Sequence, residues 1–124
     1  MGLILFEKSK YKINRTYKRT PYFSIYASSQ AGFNKGCEIK YGLKEGIYIL
    51  LYYDSHEKVI GVQIINKVFD SAENAYVLLK DRKFSIASFS KYFGLDIKHL
   101  AGRYPVIQEQ AEDCILRIPL NKKL

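Results

Sequence analysis

Two segments of this chain present the same features in the same order. The first reads AGFNKGCEIKYGLKEG from Ala31 to Gly46, and the second reads KFSIASFSKYFGLDIK from Lys83 to Lys98. Each begins with apolar residues, continues with enough residues for about two helical turns, and reaches an aromatic-Gly-Leu sequence before further charges. Such self-similarity indicates an internal duplication. We therefore expect two related halves.

The first half is predicted to contain strands, one short helix and a hairpin. Asn34 stands where a side chain caps a helix over 35–41, and Gly42 stands where a left-handed residue ends it. Apolar and aromatic runs bounded by turn residues predict the strands. The predicted strands are 22–27, a short one before Asn34, and the two arms of a hairpin at 48–54 and 59–65.

The second half repeats this order. A strand at 75–80 and a turn at Asp81-Arg82 precede a short strand, and Ser85 is placed to cap a helix over 86–93 that Gly94 ends. A second hairpin is predicted from 104–108 and 114–120. Because a lone hairpin and a two-turn helix are each marginal in water, we expect the two halves to bury their apolar faces against each other.

Positive charge is concentrated near the N terminus. The chain carries 20 Lys and Arg against 12 Asp and Glu, a formal net charge of +8. In the segment 1–21, Glu7 stands alone against a group of basic residues: Lys8, Lys10, Lys12, Arg15, Lys18 and Arg19. A basic arm of this kind favours a polyanionic partner, most often nucleic acid.

The segment Ser24–Ile64 resembles the AbrB/MazE-type swapped-hairpin family, the small DNA-binding domains of transition-state regulators and antitoxins. Gly42-Leu43 and Gly46 match the sequence that follows the helix in that family, and YILLYYDSHEKVIGVQI matches its hairpin. The resemblance implies duplex DNA as the partner. It also implies a mostly β fold with short helices, in which duplicated β-β-α-β-β units form a pseudo-twofold swapped-hairpin-like barrel within one chain.

This interpretation divides the chain into a basic arm (1–21), a first AbrB-like half (22–65), a linker (66–74) and a second half (75–124). Residues 22–124 are expected to form one compact unit. Ser29-Gln30 replaces the family's Gly-Arg, whereas Arg82 and Lys83 keep basic residues at the corresponding turn of the second half. The candidate nucleic-acid-binding residues are Lys8, Lys10, Lys12, Arg15, Lys18, Arg19, Lys35, Arg82 and Lys83.

Two further functions stay open at this point. One is a protein-interaction module from a phage or mobile element, with a toxin or a host factor as its partner. The other is a binder of a small anionic ligand, such as a nucleotide held between the halves or between protomers. Association into a homo-oligomer is compatible with all three hypotheses.

The sequence favours no catalytic, cofactor or metal site. His56 and His99 are not near a cysteine or serine in a nucleophile-like setting, and the two cysteines, Cys37 and Cys114, lack metal-ligand spacing. The glycines match neither the Walker nor the dinucleotide-binding pattern. The apolar runs are shorter than a membrane span. We therefore expect a cytoplasmic protein that is not an enzyme and has no membrane partner.

Overall fold

Strands dominate the part of the chain that the structure, a computed structural model, describes: residues 2–5, 20–65, 74–108 and 115–124. The strands within these ranges are β1 (Tyr22–Ile25), β2 (Gln30–Phe33), β3 (Tyr48–Asp54), β4 (Val59–Ile65), β5 (Tyr76–Val77), β6 (Lys83–Ser85), β7 (Gly102–Pro105) and β8 (Ile115–Pro119). The α-helices are α1 (Lys35–Tyr41), α2 (Ala87–Tyr92) and α3 (Ile97–Leu100), and a 3-10 turn covers Lys80–Arg82 before β6. The expected class, mostly β with short helices, is confirmed.

The described strands form two four-stranded antiparallel sheets. Sheet I has the order β6-β2-β1-β7, and sheet II has the order β5-β3-β4-β8. The first half of the chain supplies the central hairpin of each sheet, β1-β2 in sheet I and β3-β4 in sheet II. The second half supplies the edge strands on both sides. The halves are therefore interleaved within each sheet, and they have different roles.

The predicted swapped-hairpin-like barrel is not closed among the described strands, which belong to two open sheets. The strand pairing also differs between the two halves. Strands β1 and β2 of the first half form a hairpin, whereas β5 and β6 of the second half lie in different sheets. Strands β5 and β6 have only 2 and 3 residues, too few for a stable hairpin of their own. The pseudo-twofold duplication stays a prediction.

The predicted hairpin of 104–108 with 114–120 is also replaced by other pairings. Tyr104 of β7 lies opposite Phe23 of β1, and Leu116 of β8 lies opposite Val62 of β4. Among the described residues, the bridge between Ile107 and Arg117 is what remains of the hairpin pairing. Each strand gains more by joining a first-half hairpin, since Tyr104 and Leu116 are thereby buried in the core.

Local signals place the first helix as predicted. The Asn34 side chain accepts a hydrogen bond from the Cys37 N–H, and Gly42 ends α1 in the left-handed conformation with φ 77°. Gly94 likewise has φ 66° after α2, which is slightly shorter than the predicted 86–93. The hairpin of β3 and β4 has the predicted bounds.

The core lies between the inner faces of the two sheets and draws side chains from both. In sheet I the rings of Phe23, Phe33 and Phe84 lie 5.0 to 6.1 Å apart. Ile49 and Val62 of sheet II belong to the same buried cluster. Burying an apolar side chain of this size contributes about 1.5–3 kcal/mol. The inner face of sheet I is thus used for folding, and its outer face is available for another role.

Several predictions concern residues outside the described ranges. The basic residues of the predicted arm, 8–19, are among them, as are 66–73 of the predicted linker and Cys114. Within the described ranges, no helix has the length and apolar character needed to cross a membrane.

Candidate nucleic-acid interface

The outer face of β1 carries polar and aromatic side chains. Side chains alternate between the faces of a strand, so Phe23 and Ile25 enter the core while Tyr22, Ser24 and Tyr26 lie on the other side. Tyr26 keeps 41% of its surface exposed. The sequence alternation of β1 thus builds a second surface opposite the core.

A row of four residues crosses sheet I at the level of Ser24. Ser24 lies opposite Gly32 of β2 and Arg103 of β7, and Gly32 lies opposite Lys83 of β6. Directly paired residues share a face, and neighbouring strands lie about 4.8 Å apart. The Lys83 and Arg103 Cα atoms are therefore about 14 Å apart across three strand spacings. The small residues Gly32 and Ser24 therefore lie between the basic residues Lys83 and Arg103.

This arrangement forms a recess that we call the basic cleft, with a volume of about 590 Å³. The residues lining it come from β1, β2, β6 and β7, from the start of α1, and from the turn before β6. They are Thr20, Tyr22, Ser24, Tyr26, Gly32, Phe33, Asn34, Lys35, Asp81, Arg82, Lys83 and Arg103. Gly32 and Ser24, both buried, form its floor because their side chains are short.

The cleft is basic, and its cations are held in two different ways. Among the described residues, four cationic side chains line it against one carboxylate, Asp81. The Lys83 Nζ lies 5.2 Å from the ring centroid of Tyr26, and the Arg103 Cζ lies 4.8 Å from that of Tyr22. These distances are typical of cation–π contacts, which leave the cationic head able to bind an anion.

The other two cations are paired with Glu38 of α1. Arg82 donates from Nε to the Phe33 carbonyl (3.0 Å) and from Nη1 to Glu38 Oε1 (3.4 Å), and Lys35 forms an ion pair with the same carboxylate. The hydrogen bond from Lys35, with the nearby charges of Lys35 and Arg82, lowers the pKa of Glu38 below its usual 4.5. Glu38 therefore stays ionised and partly neutralises this end of the cleft.

Asn34 joins three elements at the rim of the cleft. Its Oδ1 accepts from the N–H groups of Cys37 (3.1 Å) and Tyr22 (2.9 Å), and its Nδ2 donates to the Thr20 carbonyl (2.8 Å). One side chain thus fixes the start of α1, the start of β1 and the position of Thr20 at the edge of the cleft. Behind it, Cys37 is fully buried, and burial raises the pKa of its thiol to about 12.

The structure brings together all three predicted site residues that lie in the described ranges. Lys35, Arg82 and Lys83 line the same cleft although α1 and β6 belong to different halves. The six basic residues of the segment 8–19 lie outside the described residues. That segment is joined covalently to Thr20, which lines the cleft.

Sequence reasoning did not identify Arg103 or the floor residue Gly32. The signal for Arg103 was the alternation of an exposed basic residue with buried Tyr104, but its neighbours across the sheet depend on a long-range register. Within the described ranges, no group of three His, Cys, Asp or Glu side chains is arranged to hold a metal ion.

Comparison of this chain with protein-family models, with curated proteins and with solved structures found no match. Since a fold does not determine a function, the side chains of the cleft are what indicate the function of this protein.

Proposed function

We propose that this protein binds nucleic acid and holds the phosphate backbone in the basic cleft. The observation that carries the proposal is the row Lys83–Gly32–Ser24–Arg103, with a cation at each end and small side chains between them. A chain of phosphates is the biological polyanion best suited to cations repeated along a surface. Backbone contacts of this kind position a nucleic acid without reading its sequence.

The segment 8–19 adds to this proposal. It contributes six basic residues to a chain that reaches the cleft at Thr20. Each additional cation that neutralises a phosphate strengthens binding at low salt through counterion release. Replacing Lys18 and Arg19 with Gln is therefore expected to weaken binding and to reduce its salt dependence.

The finer parts of the proposal come from the sequence resemblance. Gly42-Leu43, Gly46 and the β3-β4 hairpin support kinship with the swapped-hairpin DNA-binding family, with an internal duplication and a role as a transcription regulator or antitoxin. A cytoplasmic location goes with that role. The proposal that the cleft binds phosphates does not depend on these parts.

A small anionic ligand such as a nucleotide is a second candidate. The observation that favours it is the volume of the cleft, about 590 Å³, which lies within the usual range of about 300–1,000 Å³ for small-molecule sites. A ligand of this type raises the melting temperature by mass action. A thermal-shift series with nucleoside mono-, di- and triphosphates tests it directly.

The experiment that tests the main proposal is a fluorescence-anisotropy titration with labelled single-stranded and duplex oligonucleotides at two salt concentrations. The cleft variant carries Lys83→Gln and Arg103→Gln. The matched control carries Lys44→Gln and Lys98→Gln, which remove the same charge from exposed residues that do not line the cleft.

We expect the wild-type protein to bind at least one of the two probes, with an affinity that falls steeply as salt is added. The cleft variant is expected to lose about tenfold or more in affinity, equivalent to about 1.4 kcal/mol. The control variant should lose much less. Equal losses in the two variants, or no salt-sensitive binding to either probe, would contradict the proposal.

A further inference from the structure

The basic cleft contains two tyrosine rings as well as its cations. Tyr22 and Tyr26 lie on the same face of sheet I, with Ser24 between them. Tyr26 follows directly after β1, and four residues of extended chain span about 13 Å. Tyr26 is the more open of the two, with 41% of its surface exposed. The cleft therefore offers an aromatic ring beside each of the two cations at the ends of the row, Lys83 and Arg103.

Each ring has a cation beside it. Lys83 Nζ lies 5.2 Å from the Tyr26 centroid, and Arg103 Cζ lies 4.8 Å from the Tyr22 centroid. A phosphate bound by Lys83 would consequently place its attached base near the Tyr26 ring. Proteins that bind single strands combine these two elements, a basic groove for the backbone and aromatic side chains on which bases stack.

The shape of the cleft disfavours a duplex. A duplex keeps its base faces inside its own stack, so a tyrosine ring can reach one only after the base is unpaired and turned outwards. Readers of duplex grooves insert a protruding helix or β-ribbon, whereas the floor of this cleft is a recess formed by Gly32 and Ser24. In a single strand the base faces are already accessible.

We propose that the basic cleft binds single-stranded nucleic acid, with phosphates against Lys83 and Arg103 and a base stacked on Tyr26. This inference rests on the proposed function and names its substrate class. Sequence preference is expected to be weak, since every base has a face that can stack.

The test compares three labelled probes of the same length with the full chain: a single strand, the corresponding duplex, and a single strand in which the central nucleotides are abasic. The abasic probe keeps its phosphates and lacks the bases that would stack. The protein variants are Tyr26→Leu, which removes the ring, and Tyr26→Phe, which keeps it. Tyr92→Leu is the control, because Tyr92 is 82% exposed and does not line the cleft.

We expect the wild-type protein to bind the single strand about tenfold more tightly than the duplex, as the loss of one stacked base would suggest. Tyr26→Leu should bind the single strand about tenfold more weakly than wild type, and the affinity of Tyr26→Phe should stay within about threefold of wild type. Tyr92→Leu should bind like wild type. The abasic probe should bind wild type more weakly than the intact strand, and Tyr26→Leu should weaken that binding no further, because the two changes remove the same contact.

Equal wild-type affinity for the intact and abasic strands would overturn this inference, and this comparison needs no variant to fold. Duplex binding as tight as single-strand binding, with Tyr26→Leu unaffected, would also overturn it while leaving the proposed nucleic-acid function in place. The absence of salt-sensitive binding to all three probes would instead overturn the proposed function itself.

Discussion

Gly32 and Lys83 lie directly opposite each other on β2 and β6, and a Cβ atom on residue 32 would lie 3.0 Å from Cγ of Lys83 and 3.3 Å from the Arg82 carbonyl oxygen. The glycine therefore allows the lysine stem to lie across the cleft floor. Its main-chain conformation is ordinary for a strand, so the requirement is for space.

Gly32→Ala is expected to displace the Lys83 side chain and to reduce nucleic-acid affinity by about three- to tenfold, which corresponds to about 0.7–1.4 kcal/mol. Gly61→Ala is the matched control, since a Cβ there would also meet neighbours at 3.2 Å but in sheet II. Both variants should lose about 1 kcal/mol of unfolding free energy through overpacking. Equal affinities of the two variants in an anisotropy titration would contradict the assigned role of Gly32.

Asn34 provides a second prediction, on stability. Asn34→Ala removes the acceptor for the Cys37 and Tyr22 N–H groups, and loss of a helix N-cap costs about 0.5–2 kcal/mol. Asn34→Asp keeps the acceptor oxygen for both N–H groups, but it replaces the donor to the Thr20 carbonyl with a second carboxylate oxygen. The free energy of unfolding measured in urea should therefore be highest for wild type, lower for Asn34→Asp and lowest for Asn34→Ala. An Ala variant as stable as wild type would show that the cap contributes nothing.

The ion pairs of Glu38 predict a pH dependence of stability. Because the folded-state pKa of Glu38 is lowered from 4.5, the unfolded chain binds its proton more readily, and the stabilisation is present above pH 4.5 and lost as the pH falls through the folded-state pKa. Wild type should melt at a higher temperature than Glu38→Gln near neutral pH, and the two melting curves should converge in acid. A melting difference that is constant from neutral to acid pH would mean that the charge of Glu38 is not responsible.

The same variant should bind nucleic acid more tightly. Glu38 forms ion pairs with Arg82 and Lys35, which both line the cleft. Removing its charge leaves these two cations available to phosphate, and we expect an affinity gain of about threefold at neutral pH and low salt, declining as salt screens the cleft. Anisotropy titrations of Glu38→Gln and wild type at matched salt measure this gain. Weaker binding by the variant would indicate that Glu38 positions Arg82 and Lys35 for the ligand.

Local parts of the fold could be predicted from the sequence, and long-range pairings could not. Asn34 and Gly42 act on residues only a few positions away, so the limits of α1 followed from the residues themselves. The β3-β4 hairpin is similarly local. The partners of β7 and β8 depend instead on which apolar edge each strand completes, and periodicity does not carry that information.

The candidate site shows the same division. Arg82 and Lys83 were identified because they occupy the turn that corresponds to the Gly-Arg turn of the family that the sequence resembles. Arg103 reaches the same cleft only through its pairing with Ser24, which the sequence around Arg103 does not reveal. The two tyrosines were visible as strand residues, but their position between cations depends on the register of all four strands of sheet I.

The most direct test of the central claim is an NMR titration of the ¹⁵N-labelled protein with a short single-stranded oligonucleotide at low salt. The cleft predicts that backbone amide shifts will concentrate on sheet I, at Ser24, Gly32, Lys83 and Arg103. The amides of Gly61 and Val62 in sheet II should move little. Shifts that concentrate on sheet II, or an unchanged spectrum at saturating oligonucleotide, would contradict the claim that the basic cleft is the nucleic-acid site.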